Sequence, residues 1–219
     1  MGLLEFFTGD QPPLIKRAIG DVCAMLDMSR DMFSAASGYV LDNEILDVDL
    51  AVMDSEVDRC EQSARHAVLE HLNVDPKREM VLSLKLITVV HEVERIGDLA
   101  RMMSHAGTLA RTQRMGAIAI TLRELRTRTL QMFDRTRDCF IAGDPVVARG
   151  IVAEGNVIKQ ELAECLESLA LTAIVASNEA VVYTLAAHAI SRISSHLTNV
   201  ASSVTSPFHR IRAGAEVDQ

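Results

Sequence analysis

Apolar residues recur along this chain at steps of three and four, the spacing that lines one face of an α-helix. Leu14, Ala18, Val22, Met25, Met28, Met32 and Ala35 form the first stripe. They predict a helix that begins after Asp10, a natural N-cap, takes Pro12 and Pro13 in its first turn, and runs to about Val40. Asp42 and Asn43 break it. A second helix is expected from about Ile45 to Leu72, with Leu46, Leu50, Met53, Val57, Cys60 and Ala64 inward. Asp75-Pro76 reads as a cap followed by proline at the first helical position, so a third helix should start there and carry Leu82, Leu86, Val89, Val93, Ile96, Ala100 and Met103. Gly107 to Gly116 contains the next break. A fourth helix, with Ile118, Leu122, Leu125, Leu130 and Phe133, runs to about Ile141. Gly143-Asp144-Pro145 repeats the cap-plus-proline signal and opens a fifth, to about Leu171. Ser177 caps a sixth, which Ser206-Pro207 ends.

The breaks fall in the same order twice, and the cysteines echo them: Cys23 and Cys139 lie in the first helix of each set of three, Cys60 and Cys165 in the second. An internal duplication accounts for this. The expected architecture is all-α, two tandem antiparallel three-helix bundles, over residues 1–111 and 112–206, with a C-terminal tail over 207–219. The connections are too short for anything but antiparallel neighbours.

Composition agrees with packed helices. In 219 residues tryptophan is absent and aromatics make up 4%, leaving alanine, leucine, valine, isoleucine and methionine to fill the core. The net charge of −8 argues against nucleic acid as a partner, since phosphate backbones need a basic surface. The four cysteines form no CxxC pair, as expected of reduced thiols in a cytoplasmic protein. The N-terminus lacks the basic and long apolar segments of a signal peptide, and no apolar window is long enough to span a bilayer. Leu3, Leu4, Phe6 and Phe7 could still touch a membrane or partner surface.

Candidate chemistry concentrates in Glu94-Arg95-Ile96-Gly97-Asp98, inside the third helix. Glu94 and Asp98 are four apart, about 6 Å along the axis, and repel unless a cation or donor sits between them. Gly97 costs roughly 1 kcal/mol against alanine there, which suggests the close approach of a neighbour. Asp54 and Asp58 repeat the spacing one helix earlier, with Glu61 three further on, and His91 shares the stripe of Glu94 and Asp98. Two readings stand: a metal site of Asp54, Asp58, Glu94 and Asp98, with Glu61 and His91 as additional or supporting groups, or a solvated acidic face neutralised by Arg95, Arg59 or arginines of a neighbouring helix. Arg111, Arg114, Arg123, Arg126, Arg128, Arg135 and Arg137 read as salt-bridge partners of the many acids, with a docking surface as the alternative. A ferritin-like di-iron enzyme would need Glu-x-x-His, the zinc proteases HExxH, and neither occurs. Nor is there a glycine-rich phosphate loop, so no enzyme activity is expected.

The run Asp54-x-x-Val57-Asp58-x-x-Glu61, followed across a proline-marked turn by Val93-Glu94-Arg95-Ile96-Gly97-Asp98-Leu99-Ala100, resembles the first repeat of PhoU proteins. The resemblance implies two three-helix bundles with paired acidic motifs that hold multinuclear iron or zinc. It also implies a regulator of phosphate uptake that acts on a phosphate ABC transporter component, a sensor histidine kinase or both. Such a protein would reach the membrane only through its partner, and could self-associate. The alternative is a carboxylate-rich metal-binding or storage protein unconnected with phosphate. The second repeat departs from the pattern: Glu154, Val157, Ile158 and Glu161 replace the first acidic run, and Ser191-Arg192-Ile193-Ser194-Ser195-His196 the second. Hydroxyls are weak ligands beside carboxylates, so metal is expected only at the first bundle. His188 and His196, eight apart, are expected on roughly one face.

Overall fold

In a computed structural model that describes residues 11–171 and 175–208, six helices follow one another without a strand among the described residues: α1 Pro13–Leu41, α2 Leu50–Val74, α3 Met80–Leu109, α4 Ala117–Ala142, α5 Pro145–Leu171 and α6 Ser177–Thr205. Helices α1 to α3 pack against one another as one antiparallel bundle, and α4 to α6 as a second. The expected all-α duplication is therefore present. The expectations placed on Asp10, on Leu3, Leu4, Phe6 and Phe7, and on the tail from 209 onward lie outside the described residues.

The cap signals were read correctly in one place and wrongly in another. At Asp144-Pro145 the aspartate Oδ1 accepts from the backbone N–H of Val146 at 2.8 Å and of Val147 at 3.2 Å, and Pro145 is the first helical residue. The same dipeptide at Asp75-Pro76 makes a turn instead. Asp75 Oδ1 accepts from Arg78 N at 3.3 Å, Glu79 takes a left-handed φ of 53°, and the helix begins at Met80. Proline only permits a helix start; here the tight reversal between α2 and α3 uses the residues up to 79. Helix α2 likewise starts at Leu50, not Ile45, because Asp49 supplies the cap, accepting from Ala51 N at 2.9 Å and Val52 N at 3.2 Å. Ile45 is left exposed. Ser177 is the first residue of α6, with no side-chain cap bond.

The bundles are not merely tandem. Helix α3 packs on α6 as extensively as on its own neighbours, and α1 packs on α4. Phe33 and Phe133 stack across α1 and α4 with centroids 6.0 Å apart, and both are fully buried. Ion pairs flank them: Arg30 to Asp134 at 2.8 Å and Arg137 to Asp27 at 2.9 Å. Arg123 reaches Asp42 at 2.6 Å and the Leu41 carbonyl at 2.6 Å, while Arg126 also holds Asp42. Those arginines hold Asp42 below the usual carboxylate range against the opposing effect of burial. Glu179 accepts from the backbone of Arg111 at 2.9 Å and Thr112 at 3.1 Å, tying the crossover loop to the first turn of α6. Five of the seven arginines noted in the sequence, 114, 123, 126, 128 and 137, are thus spent on internal partners.

Burial pushes the thiols of Cys23, Cys60, Cys139 and Cys165 up, Cys139 to about 11, so none is an activated nucleophile. No helix among the described residues is long and apolar enough to cross a membrane.

Candidate functional site

The acidic runs of α2 and α3 do meet. Val57 and Ile96 are buried and bring the two helices together, and Gly97 faces the contact. A Cβ built on it would lie 3.5 Å from Ser29 Oγ of α1, 3.5 Å from Val57 Cγ1 and 3.8 Å from Asp54 Oδ1. These are ordinary van der Waals distances, so the approach is close enough to favour a small residue without demanding glycine. Asp54, Glu94 and Asp98 stand half-buried along this seam, while Asp58 is exposed.

Arginines of α3 supply the compensating charge. Arg101 Nε lies 3.0 Å from Asp54 Oδ2, Arg95 Nε lies 2.9 Å from Glu94 Oε2, and Asp98 is 3.3 Å from Arg95 and 3.6 Å from Arg101. Arg95 was foreseen in this role; Arg59 pairs with Glu56 instead. Glu61 is held by Arg65 of its own helix at 2.7 Å, and His91 Nδ1 stands 3.8 Å from Glu94 Oε2.

The compensation is incomplete. Burial, then the neighbouring charges of Asp98, Glu61 and Asp58, push the Glu94 carboxyl up to about 7 despite Arg95, and Glu94 Oε2 is buried without an aligned hydrogen bond. Asp54 is raised in the same way, by burial and then by Asp98 and Asp58 against the pull of Arg101. The donor chemistry of this face suits iron or zinc. Its arrangement does not: among the described residues no three His, Cys, Asp or Glu side chains converge as ligands of one ion, and arginine nitrogens stand where a cation would have to enter.

In the second bundle the corresponding face carries fewer acids. Arg128 of α4 bridges Glu154 at 2.7 Å and Glu161 at 2.8 Å, and Ile158 between them is wholly buried. Ser194 and Ser195 turn their hydroxyls back to the Ser191 carbonyl at 3.0 and 2.8 Å. The closest approach has moved to Gly155 on α5, where a Cβ would come within 2.3 Å of Thr198 Oγ1.

One functional-looking residue, Glu92, was missed by the sequence reading. Glu92, 3% exposed, accepts from His196 Nδ1 at 2.8 Å and from Asn199 Nδ2 at 2.8 Å across the α3–α6 seam. A signal existed: Glu92 follows Val89 by three and precedes Ile96 by four, which puts it on the buried stripe. His196 is buried there while His188 is exposed. Eight residues advance a helix by about 80° beyond two full turns, enough to part them.

Residues 122–204, nearly the whole second bundle, match the family model of the PhoU domain. The full chain also superposes on solved PhoU structures. The crystal structure of PhoU from Pseudomonas aeruginosa aligns over 92% of this chain and 98% of its own, with a TM-score of 0.78 at 17% identity. That of the phosphate transport system regulatory protein PhoU from Streptococcus pneumoniae aligns over 94% and 98%, with a TM-score of 0.78 at 12% identity. The second bundle matches the PhoU domain, and the chain as a whole has the fold of these PhoU structures. A comparison with curated proteins found no match. The matched segment is the repeat whose acids are replaced, with isoleucine at 158 and serine at 191 and 195.

Proposed function

We propose that this chain is a PhoU-type regulator of phosphate transport, acting by protein–protein contact on a phosphate ABC transporter component, a sensor histidine kinase or both. The observation that carries the reading is the PhoU domain match together with a PhoU fold over nearly the full length. The unreactive thiols and the arginine-paired carboxylates support a binding role over turnover. Capture with the full chain from phosphate-replete cells should recover a transporter component or the kinase; recovery of neither refutes the reading.

Metal binding at the first bundle is a separate proposal, supported by the unmet negative charge around Glu94. A cation there must displace Arg95 and Arg101, whose side chains are each 48% exposed and free to swing outward. Elemental analysis after iron or zinc loading should show metal in the wild type and not in the Asp58→Ala, Asp98→Ala double variant. Equal stoichiometry in the two would place any metal elsewhere.

A further inference from the structure

A cleft of about 440 Å³ opens between α3 and α6, on the seam where the two bundles meet. Its polar lining is Arg95, Asp98, Arg101 and His105 from α3 and Arg192 and His196 from α6. Three arginines and two histidines therefore face one carboxylate, and that carboxylate is already engaged by Arg95 at 3.3 Å and Arg101 at 3.6 Å. Arg192 is exposed and makes no hydrogen bond or ion pair among the described residues. It is the uncommitted positive charge of the cleft.

The arrangement follows from the duplication. Arg95 and Arg192 hold the same place in the Glu94-Arg95-Ile96-Gly97-Asp98 and Ser191-Arg192-Ile193-Ser194-Ser195 runs, and the packing of α3 on α6 brings both to one cleft. On α6 both flanking acids of the run are serine. With carboxylates at 191 and 195 the seam would carry two more negative charges; without them Arg192 has no acid of its own run beside it, while Arg95 and Arg101 are shared with Glu94 at 2.9 Å and Asp54 at 3.0 Å.

His196 adds direction. Its Nδ1 lies 2.8 Å from Glu92 Oε2, and an ionised carboxylate only accepts, so Nδ1 carries the proton. Asn199 donates to the same oxygen at 2.8 Å and holds it in place. In the neutral form of the ring the second nitrogen, Nε2, is then an acceptor.

We propose that this cleft binds inorganic phosphate. Guanidinium groups match the oxygens of a tetrahedral oxyanion with paired, charge-assisted hydrogen bonds. Hydrogenphosphate also carries a P–OH group, which the acceptor nitrogen of His196 receives. Sulfate presents the same oxygens and no proton, so it is the discriminating competitor. The inference deepens the regulatory reading by naming an effector for it, but the binding is measured on the protein alone and stands or falls apart from partner capture.

Isothermal titration of the full chain with inorganic phosphate, in buffer containing a chelator, tests it. Saturable binding is expected, weaker for sulfate. Arg192→Ala, at an exposed position that leaves the fold intact, should weaken it about tenfold or more, as loss of one charge-assisted hydrogen bond does. Arg149→Ala, an exposed arginine of α5 outside the cleft, should leave it unchanged. No saturable binding by the wild type, equal affinity for sulfate, or equal behaviour of the two variants overturns the assignment. So does tighter binding of phosphoserine, which would give the cleft to a phosphorylated chain instead of the free ion. If phosphate binds as described and neither transporter nor kinase is captured, the cleft stands and the regulatory reading falls.

Discussion

Replacing Glu94 by glutamine keeps the shape of a side chain that is 14% exposed and removes its charge. In the folded protein the carboxyl is pushed from 4.5 up to about 7, by burial first and then by Asp98. A native pKa above the unfolded one means that the folded state binds more protons between those values. The penalty is thus absent below about 4.5, grows as pH rises, and is complete above about 7. At about 1.4 kcal/mol per unit, the ionised group costs the fold on the order of 3 kcal/mol. The pull of Arg95 is already contained in that figure, so glutamine relieves the net cost. The expected gain is about 3 kcal/mol at pH 8, or roughly 6–12 °C in Tm for a chain of this size, and little at pH 4.5. Thermal and urea denaturation of both proteins at the two pH values measures it. A variant less stable than wild type at pH 8, or a difference that does not change with pH, would refute this account of the acidic face.

Three further outcomes follow from the same packing. Gly97→Ala should be tolerated and gain up to about 1 kcal/mol in urea denaturation, because the new methyl meets only ordinary contacts and the helix loses a glycine. Gly155→Ala should cost about 1–3 kcal/mol in the same assay, since its Cβ would fall 2.3 Å from Thr198 Oγ1 and force α5 from α6. Asp49→Ala should cost about 1 kcal/mol, because the first turn of α2 loses the acceptor of two backbone N–H groups.

Much of this molecule was legible in the order of its residues. Stripes at three- and four-residue steps state which face of each helix is apolar, and that is a local property, so six helices and their twofold repetition followed without coordinates. The pairing of Asp54 with the Glu94 and Asp98 helix was legible for the same reason: a short connection leaves α2 and α3 no choice but to lie side by side. Where local rules compete, they failed. Asp75-Pro76 and Asp144-Pro145 are the same signal, and only the geometry of the reversal decided that one caps a helix and the other makes a turn. The partners of the acids were also undecided, since Arg59 and Arg101 are equally available in a sequence and only packing put Arg101 beside Asp54. Least legible was the seam between bundles. Arg95 and Arg192 are 97 positions apart, as are Leu99 and His196, and no periodicity along one helix can state that α3 will lie on α6. The buried Glu92, its histidine partner and the arginine-lined cleft beside them exist only because two amphipathic halves, each with apolar surface left over, cover it by packing on one another.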